Sequence, residues 1–131
     1  MRSDQLWLAL AAILAAAPAL AAGKTPPTDP MTLKPTGEPR QCISGTGSVS
    51  TRPAGDTVLM FQAGPSNWFR NELRGKCPSM RDDRILVFRS SSGQYCEMDI
   101  FNVVDGMTRM DFGSCVLGRF TPVEVPKGTR F

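Results

Sequence analysis

The sequence predicts a mainly β (α+β) domain: a small antiparallel meander or barrel-like sheet with one short helix and two disulfides. Three observations carry this. From Gln41 onward short apolar runs alternate with turn residues. Four cysteines, Cys42, Cys77, Cys96 and Cys115, are spread through that part, the last three at equal intervals. Asp105-Gly106 stands between Val104 and Met107, and a type I′ turn needs the positive φ that such a pair supplies.

Taken in order, residues 1–21 have the layout of a signal peptide. Met1-Arg2 supply positive charge, Leu6–Leu20 form an apolar run, and Ala19-Leu20-Ala21 offers small residues at both cleavage subsites. Pro18 interrupts the run, which is short against the roughly 20 residues needed to span a bilayer, so no transmembrane segment is expected after signal cleavage. Residues 22–40 hold five of the eleven prolines with neither helical nor strand periodicity, and read as a flexible linker. The disulfide-stapled domain is expected over residues 41–125, with a frayed tail over 126–131.

Within the domain, Val58-Leu59-Met60-Phe61 follows the turn signal Pro53-Ala54-Gly55-Asp56 and is expected as a strand buried on both faces. Ser66–Leu73 reads as the one helix: Ser66 or Asn67 can cap it, Phe69 and Leu73 share a face, and Gly75 can end it. Ile85–Arg89 is a further strand, and Tyr95–Val104 a longer one with Cys96, Met98, Ile100 and Val104 on one face. A two-residue turn at Asp105-Gly106 would pair Val104 with Met107 and set Cys96 opposite Cys115; a bulge at Gly113 would change that register. Val116–Val125 is the last strand, ending near Pro122.

Four cysteines in a small exported domain point to two disulfides, because the compartment is oxidising and the core small. Of the three connectivities, Cys42–Cys77 with Cys96–Cys115 is favoured by the register just described. The cysteines are separated by 34, 18 and 18 residues with no C-x2-C pair, which disfavours a zinc site, and no C-x-x-C motif supports redox catalysis. No metal or cofactor is expected.

The 131 residues include no histidine, which removes the commonest general base, the commonest metal ligand and imidazole-based triads. The net charge of +3 is too weak for a nucleic-acid binder and suits loose attraction to an anionic envelope glycan. Glu97 and Asp99, two apart on one strand, form the one carboxylate pair suggestive of a small envelope hydrolase. Cross-strand partners for them in Arg84 or Arg89 are the simpler reading. Asp82-Asp83 reads as a solvated turn. Trp68, Arg70, Arg74 and Lys76 form a possible ligand surface for a glycan or a protein partner, with Trp68 itself better suited to the core. The segment Gly45–Ser50 lacks the following helix of a phosphate loop, and the loop Ala63–Asn67 is where an enzyme inhibitor would carry an apolar anchor.

Over residues 40–122 the chain resembles a family of small exported bacterial proteins with paired cysteines, classified only as a domain of unknown function. The resemblance rests on Arg40-x-Cys42-Ile43, Asp56-x-x-Leu59-x-Phe61, Asn71-x-Leu73 with Cys77-Pro78, Cys96-x-x-Asp99, and Cys115-x-Leu117-Gly118-x-Phe120-x-Pro122. It implies a periplasmic or secreted protein and brings no activity or ligand with it. The expected function is therefore non-enzymatic binding or envelope association, with a hydrolase or an enzyme inhibitor as alternatives.

Overall fold

The computed structural model describes residue 23, residues 25–90 and residues 92–131; the signal peptide expected over 1–21 lies outside them. Among the described residues nine strands form three antiparallel sheets, and the fold class is mainly β with two disulfides. The larger sheet has the order β2 (Val49–Pro53), β3 (Val58–Ala63), β4 (Asn67–Glu72), β9 (Phe120–Val123). A second joins β5 (Arg84–Phe88), β7 (Ile100–Asp105) and β8 (Asp111–Val116), and the short pair β1 (Cys42–Ser44) and β6 (Gln94–Cys96) forms the third.

β3 is buried on both faces, as its continuous apolar run predicts. Leu59 and Phe61 face the main core with Phe69, Phe101, Val103, Leu117 and Phe120, while Val58 and Met60 face a second cluster with Trp68, Leu33 and Val123. That second cluster is where residues 30–40 and the C-terminal tail pack. The segment expected to be a flexible linker turns through a 3-10 turn at Pro30–Thr32, buries Leu33, and bridges β9 through Pro35–Val123 and Arg40–Phe120. The tail expected to fray places the Phe131 ring 5.7 Å from Trp68, and Thr28 N–H donates to Arg130 O at 2.6 Å. Both segments cover an apolar sheet face that would otherwise meet water.

The expected helix at Ser66–Leu73 is instead β4, an interior strand paired to β3 and β9. Trp68 and Arg70 point to one face and Phe69 and Asn71 to the other, and all four are buried. A strand covered on both sides loses its polar alternation, so the Phe69–Leu73 spacing imitated a helix. Tyr95–Val104 is likewise broken in two. Met98 takes φ 74°, and the Asp99 carboxylate accepts the Cys96 N–H at 2.8 Å, turning the chain from β6 into β7.

This break changes the disulfide pairing to Cys42–Cys96 and Cys77–Cys115, not Cys42–Cys77 and Cys96–Cys115. Cys42 lies directly opposite Cys96 in the β1–β6 ladder with Cα atoms 4.0 Å apart. Glu97 N–H donates to Gln41 O at 2.6 Å beside them, so the cysteines occupy a non-hydrogen-bonded position, where side chains come closest. Cys115 lies opposite Phe101 and points inward to Cys77. The register shift comes from a longer turn than Asp105-Gly106 alone. Val104 pairs with Asp111 rather than Met107, and the ladder slips at Gly113, whose φ of 104° suits a bulge. Asp105 closes this turn by accepting the N–H groups of Met107 and Thr108. The last strand is correspondingly short, since Val116 ends β8 and β9 spans only Phe120–Val123.

The crossover from β8 to β9 is clamped by fully buried Asn71. Its amide donates to Gly118 O at 2.8 Å and its carbonyl accepts Gly118 N–H at 2.9 Å. A Cβ on Gly118 would stand 1.9 Å from Glu72 O, so no other residue fits there without moving β4. Asn71→Ala, which leaves both Gly118 groups buried and unpaired, is expected to lower unfolding free energy by about 2–4 kcal/mol in chemical denaturation, with Gly118→Ala at least as severe. The two disulfides close interleaved loops with separations of 54 and 38 residues, each worth about 4 kcal/mol in the chain-entropy model. Cys42 and Cys96 are half-buried whereas Cys77 is fully buried. Mild reduction followed by alkylation and peptide mapping should therefore label Cys42 and Cys96 before Cys77 and Cys115.

Candidate functional site

The residues expected to form a ligand surface do not share one. Trp68 and Arg70 are buried on the outer face of the larger sheet, where Arg70 Nη1 donates to Pro30 O at 3.2 Å. The Arg70 Nε stands 3.9 Å from Glu72 Oε2 and has no hydrogen-bond partner among the described residues. Arg74 and Lys76 are exposed beyond β4, and Arg74 is engaged by Glu97.

Glu97 and Asp99 do not stand on one strand face; they occupy the β6–β7 turn with separate tasks. Glu97 pairs with Arg74 and, at 3.3 Å, with Arg119, rather than with Arg84 or Arg89. The hydrogen bond from Arg74 chiefly, with the charges of Arg74 and Arg119, holds its carboxyl below the ordinary glutamate value of 4.5. Asp99 is the acceptor that closes the turn. Arg84 instead lies over the Phe112 ring at 3.7 Å, and Asp83 pairs with Arg81 at 3.6 Å in an exposed turn beside Asp82. No group of three acidic or cysteine side chains is placed to hold a metal ion among the described residues.

An open groove of about 740 Å³ lies where the β1–β2 loop, the β3–β4 turn and the end of β9 meet. It brings together two segments that stand far apart in sequence, Ser44–Ser48 and Ala63–Asn67. Thr36, Ser44, Thr46, Ser48, Ser66 and Asn67 give it a rim of hydroxyl and amide groups, and Phe69 and Pro122 an apolar floor. Ser44 Oγ and Thr46 Oγ1 are 2.7 Å apart and hydrogen-bonded to each other, which orders that side of the rim. Arg40 adds the one basic side chain of the lining, its guanidinium 5.5 Å from the Phe69 ring centroid. Two backbone bonds to Phe120, of 2.7 and 2.9 Å, fix its position. Arg40 has no ion-pair partner among the described residues. Glu124, one residue past the end of β9, also lines the groove.

Sequence reasoning missed Arg40 and Thr36 because both fall in the segment that reads as a linker. The usable signal was Arg40 itself, two residues before a cysteine that had to enter the fold. No family model, curated protein or solved structure matches the chain.

Glu97 contributes stability through a depressed folded-state value. That contribution is present above pH 4.5 and is lost as the pH falls through the folded value. Thermal unfolding of Glu97→Gln should therefore fall below the parent at neutral pH, and the difference should close in acid below pH 4.5.

Proposed function

We propose that the chain is an exported, non-enzymatic binding domain, periplasmic or secreted, that holds an acidic glycan segment in the groove beside Arg40. The observation that carries this reading is the lining: six hydroxyl or amide side chains over an apolar floor, with one unpaired guanidinium. Sugars offer alternating hydroxyl and C–H surface, which suits such a rim and floor, and a carboxylate suits a guanidinium that can meet it with two N–H groups.

The two disulfides support export, since such bonds persist in oxidising compartments. No helix among the described residues is long and apolar enough to cross a membrane. The hydrolase reading is the weaker one, because Glu97 is committed to two arginines and Asp99 to a turn amide. An inhibitor would need an apolar anchor, and the β3–β4 turn offers Gly64, Pro65 and Ser66 at its tip. Membership of the exported bacterial family that residues 40–122 resemble belongs to the same proposal.

Trp68 lines the groove and is the only tryptophan outside the N-terminal apolar run, so its emission reports occupancy. Titration with an oligouronic acid should give a saturable change, about tenfold weaker with the carboxyl-reduced oligosaccharide. Arg40→Gln, which keeps an apolar stem over Phe69, should lose the same factor while unfolding at the parent temperature. Absence of saturation with either sugar would overturn the reading, and equal binding by Arg40→Gln would remove the groove from it.

A further inference from the structure

Exposed apolar side chains are not spread over the surface. Of the eight large ones among the described residues, seven (Ile85, Val87, Met98, Ile100, Met107, Met110 and Phe112) lie on β5, β7, β8 or the turns adjoining β7. The inward face of this sheet carries Leu86, Phe88, Phe101, Val103 and Cys115. The outward face is a grid of three residues from each strand. Its rows, from the paired positions, are Ile85, Val104, Asp111; then Val87, Asn102, Ser114; then Arg89, Ile100, Val116. Arg89 joins the last row because its N–H donates to Ile100 O at 3.2 Å.

This grid has one cation and one anion, at opposite corners. Two strand spacings and four residues of rise put them roughly 17 Å apart, too far to pair within the chain. Neither has an ion-pair partner among the described residues. Asp111 uses its oxygens on Asn102 Nδ2 at 2.9 Å and Gly113 N–H at 2.8 Å, which hold it in place while leaving its charge uncompensated.

We infer that this face docks on the same face of a second copy, in a two-fold arrangement with the sheets crossed at near right angles. A two-fold axis lying in the interface and running along the Ile85–Val116 diagonal exchanges the other two corners. Arg89 of each copy then meets Asp111 of its partner, twice. Val87 meets Val104, and Ile85 and Val116 each meet their own counterparts. Orthogonal packing is one of the two ways in which sheets stack, and an isologous contact requires this kind of self-complementarity. The Met107 and Met110 turn extends past β7 and β8, where flexible thioethers can settle over the β5 edge of the other copy. The grid outlines only about 300 Å² per copy, so the dimer is weak and reversible. The ion pairs set its register more than its strength. The groove beside Arg40 shares no residue with this face and stays open in the dimer.

Sedimentation equilibrium of the full protein, exported to an oxidising compartment with both disulfides closed, tests this. A concentration-dependent monomer–dimer equilibrium is expected. Arg89→Glu should weaken it about tenfold, Asp111→Lys similarly, and the double exchange should restore most of the loss. Because Asp111 also braces the Gly113 bulge, Val87→Lys serves as a second disruption at an already exposed site, with circular dichroism confirming its fold. A protein that stays monomeric at millimolar concentration overturns the inference and leaves the face to a different protein. A dimer insensitive to Arg89→Glu and Val87→Lys overturns it too, because the contact then lies elsewhere.

Discussion

The buried pair of hydrogen bonds between Asn71 and Gly118 is the constraint on which the rest of the structure depends. It fixes the crossover between the two main sheets to the middle of the larger one, in a place where any side chain on Gly118 would collide with the β4 backbone. From that point β9 enters the sheet beside β4, and Leu117, fully buried, exchanges backbone bonds with Met98 and Asp99. A buried amide that meets both backbone groups of one residue has no equally good alternative partner, so the crossover has one position.

Placement of β9 then decides where residues 33–40 and the C-terminal tail pack. The N-terminal segment bridges its free edge at Pro35 and Arg40, covering a row of backbone groups that would otherwise invite another strand. The same segment and the tail close over Trp68 and Met60. The inner strands of the larger sheet are thus buried on both faces in a small domain, where Cys42–Cys96 ties β1 to β6 and Cys77–Cys115 ties the loop after β4 to β8.

Several of the described polar groups are engaged within this frame. Glu97 ties Arg74 to Arg119, Asp99 and Asp105 close turns, and the cysteines are all bonded. What remains uncommitted lies at the periphery and differs in kind between two places. The groove is polar with one cation over an aromatic ring, and the outer face of the β5–β7–β8 sheet is apolar with two unmatched charges. The proposed polar recognition and the inferred self-association therefore use different surfaces, with no residue in common.

The sequence by itself determined the mainly β class, the number of disulfides, the doubly buried β3, and the strand expected at Ile85–Arg89 and found at Arg84–Phe88. Each follows from local signals: alternation, continuous apolar runs, turn residues and the count of cysteines. Tertiary structure alone decided that Asn67–Glu72 is a strand, because burial on both faces erased the alternation that would have marked it. It also decided which cysteines meet. That outcome turned on a left-handed Met98 and a bulge at Gly113, two local conformations that shift register by one or more residues and carry no periodic trace. The groove was illegible for the same reason. Arg40, Ser44–Ser48, Ala63–Asn67 and Pro122 are brought together by pairing across the chain, and pairing partners are chosen by the whole core rather than by any one segment.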